Sequence, residues 1–529
     1  MEVTANLGIL AQLIAQRSAE LPDVDITTFV DERSGVVETR SYRQLKENSH
    51  RLAAYMIEKG MQKGDRFAAI LCNHPEMVEA LIAASVAGCV LVPIDPRTKG
   101  DKLVFILKDS GCKGLICADY NAEAVDQVLE RTAVSWVLHK GDATFSDGVS
   151  AERYDLAIAG QPSDIEIRAT SEQDPIQILY TSGTTGDPKG ILKSNQEFVQ
   201  VGQVFPMISP IAEDDIFYTG LSLTHGNAQG LTLAISLFTG RPGVYSVRFT
   251  KSRLWETIRK YGCTRFNLLG GMTAAIYSEP VKADDADNPV RQVLSAGMPA
   301  AIWSDFEKRF DLTLFEAFGA AEGGLFWNDG SGPVGSLGNM LNNPLYEARL
   351  VDDEDQDVGI GERGELIWRN RNENPVSVTY VNKPEASAEK VRDGWFRTGD
   401  IMHADENGWM FFDSRKGGGI RRNGDFINTG FVEKVLAEHS QVDDVFVYGV
   451  PAANGTPGEK DVVAAIVPHD RDAFDPTDVF AKCRAELEAN FVPTYLHLVS
   501  AIPKTASEKP QERFLLEMFS KDSEDVITE

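Results

Sequence analysis

From Phe67 to Ser295 the chain repeats one rhythm, a short apolar run followed by a longer helical stretch. The runs are Phe67–Cys72, Val90–Ile94, Gly114–Ala118, Ser135–His139, Ile176–Tyr180, Gly243–Val247, Phe266–Leu269 and Gln292–Ser295. Strands joined by helices pair in parallel, and near-continuous apolar runs suit strands buried on both faces. The rhythm therefore predicts an α/β fold of doubly wound sheets. An early helix is marked by the capping box Ser41…Gln44; Leu45, Leu52, Ala53, Met56 and Ile57 follow at helical spacing, and Gly60 closes it.

From about Pro333 to Asp413 the pattern changes to alternating strands between glycine-rich turns, such as Tyr346–Val351 and Gly364–Trp368. This predicts a small antiparallel, barrel-like part. Arg415-Lys416-Gly417-Gly418-Gly419 then interrupts the chain. Adjacent glycines restrict the backbone little, which suits a hinge, although a tight turn is the plainer alternative. Strands at Val445–Val450 and Asp461–Val467 and a helix over about Asp475–Asn490 follow. The expected division is a large N-terminal domain over 1–414, a hinge at 415–419 and a small, mobile α+β lid over 420–529. The tail after Lys521 is acidic and expected to fray.

At 529 residues more than one core is expected. A net charge of −27 argues against nucleic acid and anionic membrane surfaces as partners. Six scattered cysteines without a C-x-x-C pair read as buried thiols in a reducing compartment. The first residues lack a basic n-region, and no run of apolar residues is long enough to span a bilayer. A cytoplasmic protein, monomeric or homodimeric, is the expectation.

The richest segment for function is Tyr180-Thr181-Ser182-Gly183-Thr184-Thr185-Gly186-Asp187-Pro188-Lys189-Gly190. Its hydroxyls, glycines and one lysine, placed after a strand, can bring N–H groups and a cation close to a polyphosphate. A flexible polar surface loop is the bland alternative. The spacing is not that of the P-loop, which requires Gly, four residues and then Gly-Lys-Ser/Thr.

The loop matches the phosphate-binding signature of the adenylate-forming enzymes, the family of acyl-CoA ligases, peptide-synthetase adenylation domains and beetle luciferases. The resemblance extends over nearly the whole chain. Within it Thr181, Ser182, Gly183, Thr184, Thr185 and Lys189 would hold the ATP phosphates. Phe318-Gly319-Ala320-Ala321-Glu322 resembles the segment whose glutamate holds Mg²⁺, with Ala321 in place of the usual threonine. Gly297, Glu316, Ala317 and Phe318 fall where the family contacts adenine. Trp395-Phe396-Arg397-Thr398-Gly399-Asp400 resembles the ribose segment, Asp400 accepting from both hydroxyls. Arg415 resembles the arginine that touches ribose and phosphate, and Gly417 sits at the hinge position. Gly424, in Arg421–Asp425, corresponds to the glycine beside the pantetheine arm of CoA. Pro503–Lys509 resembles the terminal motif whose lysine, here Lys509, bridges substrate carboxylate and α-phosphate; Glu508 replaces the usual glycine. His225, Gly270, Gly271 and Trp327 would border the acyl pocket.

The family reaction this implies is AMP-forming ligation: a carboxylate attacks ATP to give acyl-AMP and pyrophosphate, then a CoA thioester forms as AMP leaves. Lys509, Arg415, Glu322 with Mg²⁺ and the loop would supply the positive field that joining two anions requires. Two other readings stand: transfer of the acyl group to a carrier protein, and a non-catalytic nucleotide- or acyl-binding homologue. Pro503–Gln511 and Arg421–Asn428 look most like the crotonobetaine/carnitine-type CoA ligases. Phe326 and Trp327 could face an onium group through cation–π contact, or simply pack in the core.

Overall fold

The computed structural model describes residues 7–181, 188–372, 375–415, 419–456, 458–503 and 510–528. The side chains at 270, 271, 274, 414, 415 and 426 lie outside that description.

Two sheets dominate the N-terminal part. One has seven strands in the order Ala151–Arg153, Trp136–Lys140, Cys112–Ala118, Arg66–Ile70, Val90–Ile94, Pro175–Thr181, Lys189–Ser194. All its neighbours are parallel except the last pair. The other has eight strands, with Thr313–Ala320, Gln292–Ala296, Arg265–Leu269, Phe217–Thr219, Gly243–Ser246 and Asp25–Val30 parallel between two antiparallel edges. The predicted apolar runs are these strands, shifted by a residue or two at their ends.

Helices cover the sheets for stated local reasons. Ser41 caps Tyr42–Glu58 by accepting from the Gln44 N–H, while the Gln44 side chain accepts from the Ser41 N–H. Ser194 and Glu197 repeat the device for Asn195–Ile208. The helix Pro75–Ala87 is buried on every side. Its two glutamates are paired rather than exposed: Glu79 with Arg40 at 2.7 Å and Glu76 with Lys140 at 2.7 Å.

The antiparallel part is a six-stranded sheet built on Tyr346–Val351, Gly364–Asn370, Trp395–Ala404 and Trp409–Arg415. Its core holds Phe326, Trp368, Tyr380, Phe396 and Met410. Beyond residue 420 a hairpin of Ile420–Arg422 and Asp425–Ile427 leads into a four-stranded sheet. The helices Thr429–Ala437 and Pro476–Glu486 pack there in a cluster drawn wholly from this part. The last helix ends four residues before the sequence expectation, because Leu487 turns extended and enters that core. All six cysteines are buried and unbridged. No helix among the described residues is long and apolar enough to cross a membrane.

Candidate active site

In parallel sheets ligands gather at the carboxyl ends of the strands, and Thr181, Gly270, Gly297 and Glu322 stand at or just past such ends. Thr181 and Lys189 face each other across the antiparallel pair that frames the glycine-rich loop. Ser182, Gly183, Thr184 and Thr185 lie outside the described residues. Lys189 Nζ stands 5.3 Å from the centroid of the Tyr380 ring. The Tyr380 hydroxyl donates to Glu322 Oε1 at 2.6 Å. Lys193, on the same strand as Lys189, donates to the Glu322 carbonyl at 3.4 Å. The predicted phosphate and metal residues are thus joined through Tyr380, which sequence reasoning missed. Its signal is positional only: an isolated bridge to Ile191 holds it over the loop's return strand.

Glu316 is 1% exposed, and its carboxylate accepts the Gly297 N–H at 2.5 Å and the Met298 N–H at 3.2 Å. Gly297 holds φ +91°, which lets the turn present both N–H groups to one carboxylate. Burial pushes the Glu316 carboxyl up to about 7, against the pull of those two N–H groups and the Arg421 charge. The sign follows directly. Between pH 4.5 and about 7 the native state holds this proton more tightly than the unfolded chain, so stability falls as pH rises. A shift of this size corresponds to about 3 kcal/mol. Relative to Glu316→Gln, the wild type should lose stability over that window by denaturant melts; a constant difference across the range would contradict the assignment. Ala317 points to the opposite side, into an apolar cluster, and Phe318 packs at the edge of the antiparallel core.

Asp400 lies directly opposite Arg415 in the pairing of Trp395–Ala404 with Trp409–Arg415. The Thr398 hydroxyl accepts the Asp400 N–H at 3.0 Å and donates to the Leu366 carbonyl at 2.7 Å. Gly399 turns there with φ +80°, donating to Glu365 at 3.1 Å. Lys509 and Gly417 lie outside the described residues.

Gly424 crosses from the C-terminal part to the large domain. It holds φ +84°, and a Cβ placed on it would stand 2.8 Å from Leu269 Cδ1. Around it run polar contacts between the parts. Thr98 Oγ1 and Lys102 Nζ each donate to Glu488 Oε1 at 2.8 Å, Lys99 Nζ donates to the Arg484 carbonyl at 2.9 Å, and Lys434 pairs with Asp101. Asp95 and Arg97, unforeseen in the sequence, lie beside His225 and Asp425. Arg97 clasps Asp95 at 2.8 and 2.7 Å, and His225 Nε2 stands 3.6 Å from Asp95 Oδ2. Burial raises the Asp95 carboxyl, but Arg97 and His225 outweigh it and hold it well below the usual range. Burial lowers His225, but Asp95 and Asp425 outweigh it and raise it. Gly270 and Gly271 open the helix Gly270–Tyr277 at the end of Arg265–Leu269.

Phe326 and Trp327 part company. Phe326 is fully buried in the antiparallel core and faces no ligand, so the onium contact drawn for it does not stand. Trp327, on the other face of Gly323–Asn328, is half-buried beside Ala317 and Leu231.

Comparison with known proteins agrees with this layout. A crotonobetaine/carnitine–CoA ligase of Salmonella typhimurium is 24% identical over 490 residues, covering 90% of this chain and 92% of that one. Among solved structures, o-succinylbenzoate CoA synthetase from Bacillus subtilis superposes with a TM-score of 0.80 at 22% identity, covering 96% of this chain and 98% of that chain. The amide bond synthetase McbA from Marinactinospora thermotolerans gives 0.79 at 22% identity, covering 96% and 99%. The model of the AMP-binding enzyme C-terminal domain matches residues 432–509, and that of the AMP-binding enzyme matches residues 15–374. The chain belongs to the AMP-binding enzyme family.

Proposed function

We propose that this protein is an ATP-dependent, AMP-forming acyl-CoA ligase. The observation that carries the reading is the joining of the phosphate-loop lysine to the predicted metal glutamate, Lys189 and Glu322, through Tyr380. Glu316 holds the Gly297 turn, and the C-terminal part sets Gly424 against Leu269.

In the first step a carboxylate oxygen of the substrate attacks the α-phosphorus of ATP, and the bond to the pyrophosphate oxygen breaks. Two anions must approach, so fixed positive charge is the main requirement. Lys509 bridges carboxylate and α-phosphate, Arg415 contacts ribose and phosphate, and Asp400 accepts from the ribose diol. Thr181 to Lys189 hold the phosphates. Glu322 fits Mg²⁺: one carboxylate oxygen is fixed by Tyr380, and the other has no partner among the described residues. Magnesium is usually held by one or two carboxylates and substrate phosphates, and there it would neutralise phosphate charge. In the second step the CoA thiol attacks the acyl carbon and AMP leaves. Residues 415–419 serve as the hinge that withdraws Lys509 and brings Gly424 beside the pantetheine arm.

The deciding experiment is a carboxylate panel with ATP, Mg²⁺ and CoA, reading pyrophosphate, AMP and thioester. Acid-dependent pyrophosphate release followed by thioester supports the ligase. AMP formation indifferent to CoA speaks for another acyl acceptor, and no release with any acid speaks for a binding protein. Tyr380→Phe should lower kcat/KM for MgATP roughly 5- to 10-fold, the worth of one hydrogen bond, with the loss shrinking as Mg²⁺ is raised. An unchanged Mg²⁺ dependence would remove Tyr380 from the site.

A further inference from the structure

The region beneath His225 and Gly424 holds a polar group that the ligase reading does not use. Alternate residues of a strand share a face, so Asn267 lies on the same side of Arg265–Leu269 as Leu269. The register carries that face through Leu294 and Phe315 on the next two strands. There it becomes apolar, packed with Ala317 and half-buried Trp327. Inside this apolar wall Asn267 Nδ2 donates to Asn227 Oδ1 at 2.5 Å, and Thr232 Oγ1 donates to Asn267 Oδ1 at 3.2 Å.

Burial deepens along one line. His225 and Gly226 are exposed, Asn227 is half-buried, and Gln229 and Asn267 are 2% and 1% exposed. The Asn227 amide nitrogen donates to nothing among the described residues, and buried Gln229 Oε1 has no partner either. The helix carrying them is widened into a π-turn over Gln229–Ala234, a departure often found at functional sites. Polar groups buried without partners are costly, so a wall that keeps them implies a ligand that answers them. None of Asn227, Gln229, Thr232 and Asn267 is ionisable, and Glu316 on its strand points to the opposite face. A charged acyl substituent would lie there without a counter-charge.

We propose that the Asn227–Asn267 amide pair reads a neutral oxygen on the acyl chain, so that the acid activated is a hydroxy or oxo acid rather than a hydrocarbon or onium acid. This rests on the ligase reading, and its test separates the two. Acid-dependent pyrophosphate release is measured without CoA for hydroxy and oxo acids bearing the oxygen at successive carbons. Each is compared with its hydrocarbon isostere and a quaternary-ammonium counterpart. At least one oxygenated acid should exceed both by tenfold or more in kcat/KM. Asn227→Leu, and separately Asn267→Leu, should cut that preference roughly 10- to 100-fold, mostly through KM. Cooperative thermal melts and wild-type MgATP binding by both leucine variants show that they fold. Equal or better use of the hydrocarbon or onium acid by the wild type overturns the proposal and leaves the ligase reading standing, as does a preference that survives in both leucine variants. Silence with every acid overturns both.

Discussion

Lys509→Ala should lose roughly 10²–10³ in the rate of acid-dependent ATP–pyrophosphate exchange, the usual cost of removing a group that stabilises charge developing in a transition state. The same variant, given preformed acyl-AMP and CoA, should make thioester within a few-fold of wild type, because the proposed mechanism withdraws the lysine in that step. The split between the half-reactions is the informative readout. Equal loss in both would mean that Lys509 supports the fold or both steps alike. A small loss in both would move the role to Lys504, the other lysine of Pro503–Lys509.

The converse split is expected at Gly424. A side chain there must take φ +84°, strained for any residue with a Cβ, and its first carbon would press on Leu269 at 2.8 Å. Gly424→Val should therefore bar the C-terminal part from the position seen here. Thioester formation from acyl-AMP should fall by two orders of magnitude or more, roughly what 3 kcal/mol of steric cost implies. Pyrophosphate exchange should stay near wild type, since the proposed mechanism has Lys509 act in a different posture. Gly424→Ala is the graded control, and its loss should be smaller. If valine leaves thioester formation intact, Gly424 does not approach Leu269 during turnover.

The fold was legible because its signal is repetitive: each buried strand must be apolar and each crossover must fit a helix. Candidates were legible where chemistry demands a residue type at a fixed spacing, as at Thr181, Lys189, Glu322 and Asp400. Asp95, Arg97 and Tyr380 were not. Asp95 and Arg97 follow the strand Val90–Ile94 and Tyr380 bridges to Ile191, and neither placement marks a residue in the sequence. Phe326 shows the complementary limit. A strand alternates faces, but its sequence does not say which face meets the core, and here Phe326 turned inward while Trp327 did not. Nothing in the sequence marks Glu76 and Glu79 as buried, since their partners Lys140 and Arg40 are distant in the chain.

Among the contacts that hold the C-terminal part against the large domain are two ion pairs, half-exposed Lys434 with Asp101 and mostly buried Lys102 with Glu488. Attractions of this kind fade as the Debye length shrinks to about 8 Å at physiological ionic strength and lower still in brine. In the proposed alternation, dilute buffer should favour the position described here and added salt should loosen it. Ionic strength would then set how each turnover divides between making the adenylate and consuming it.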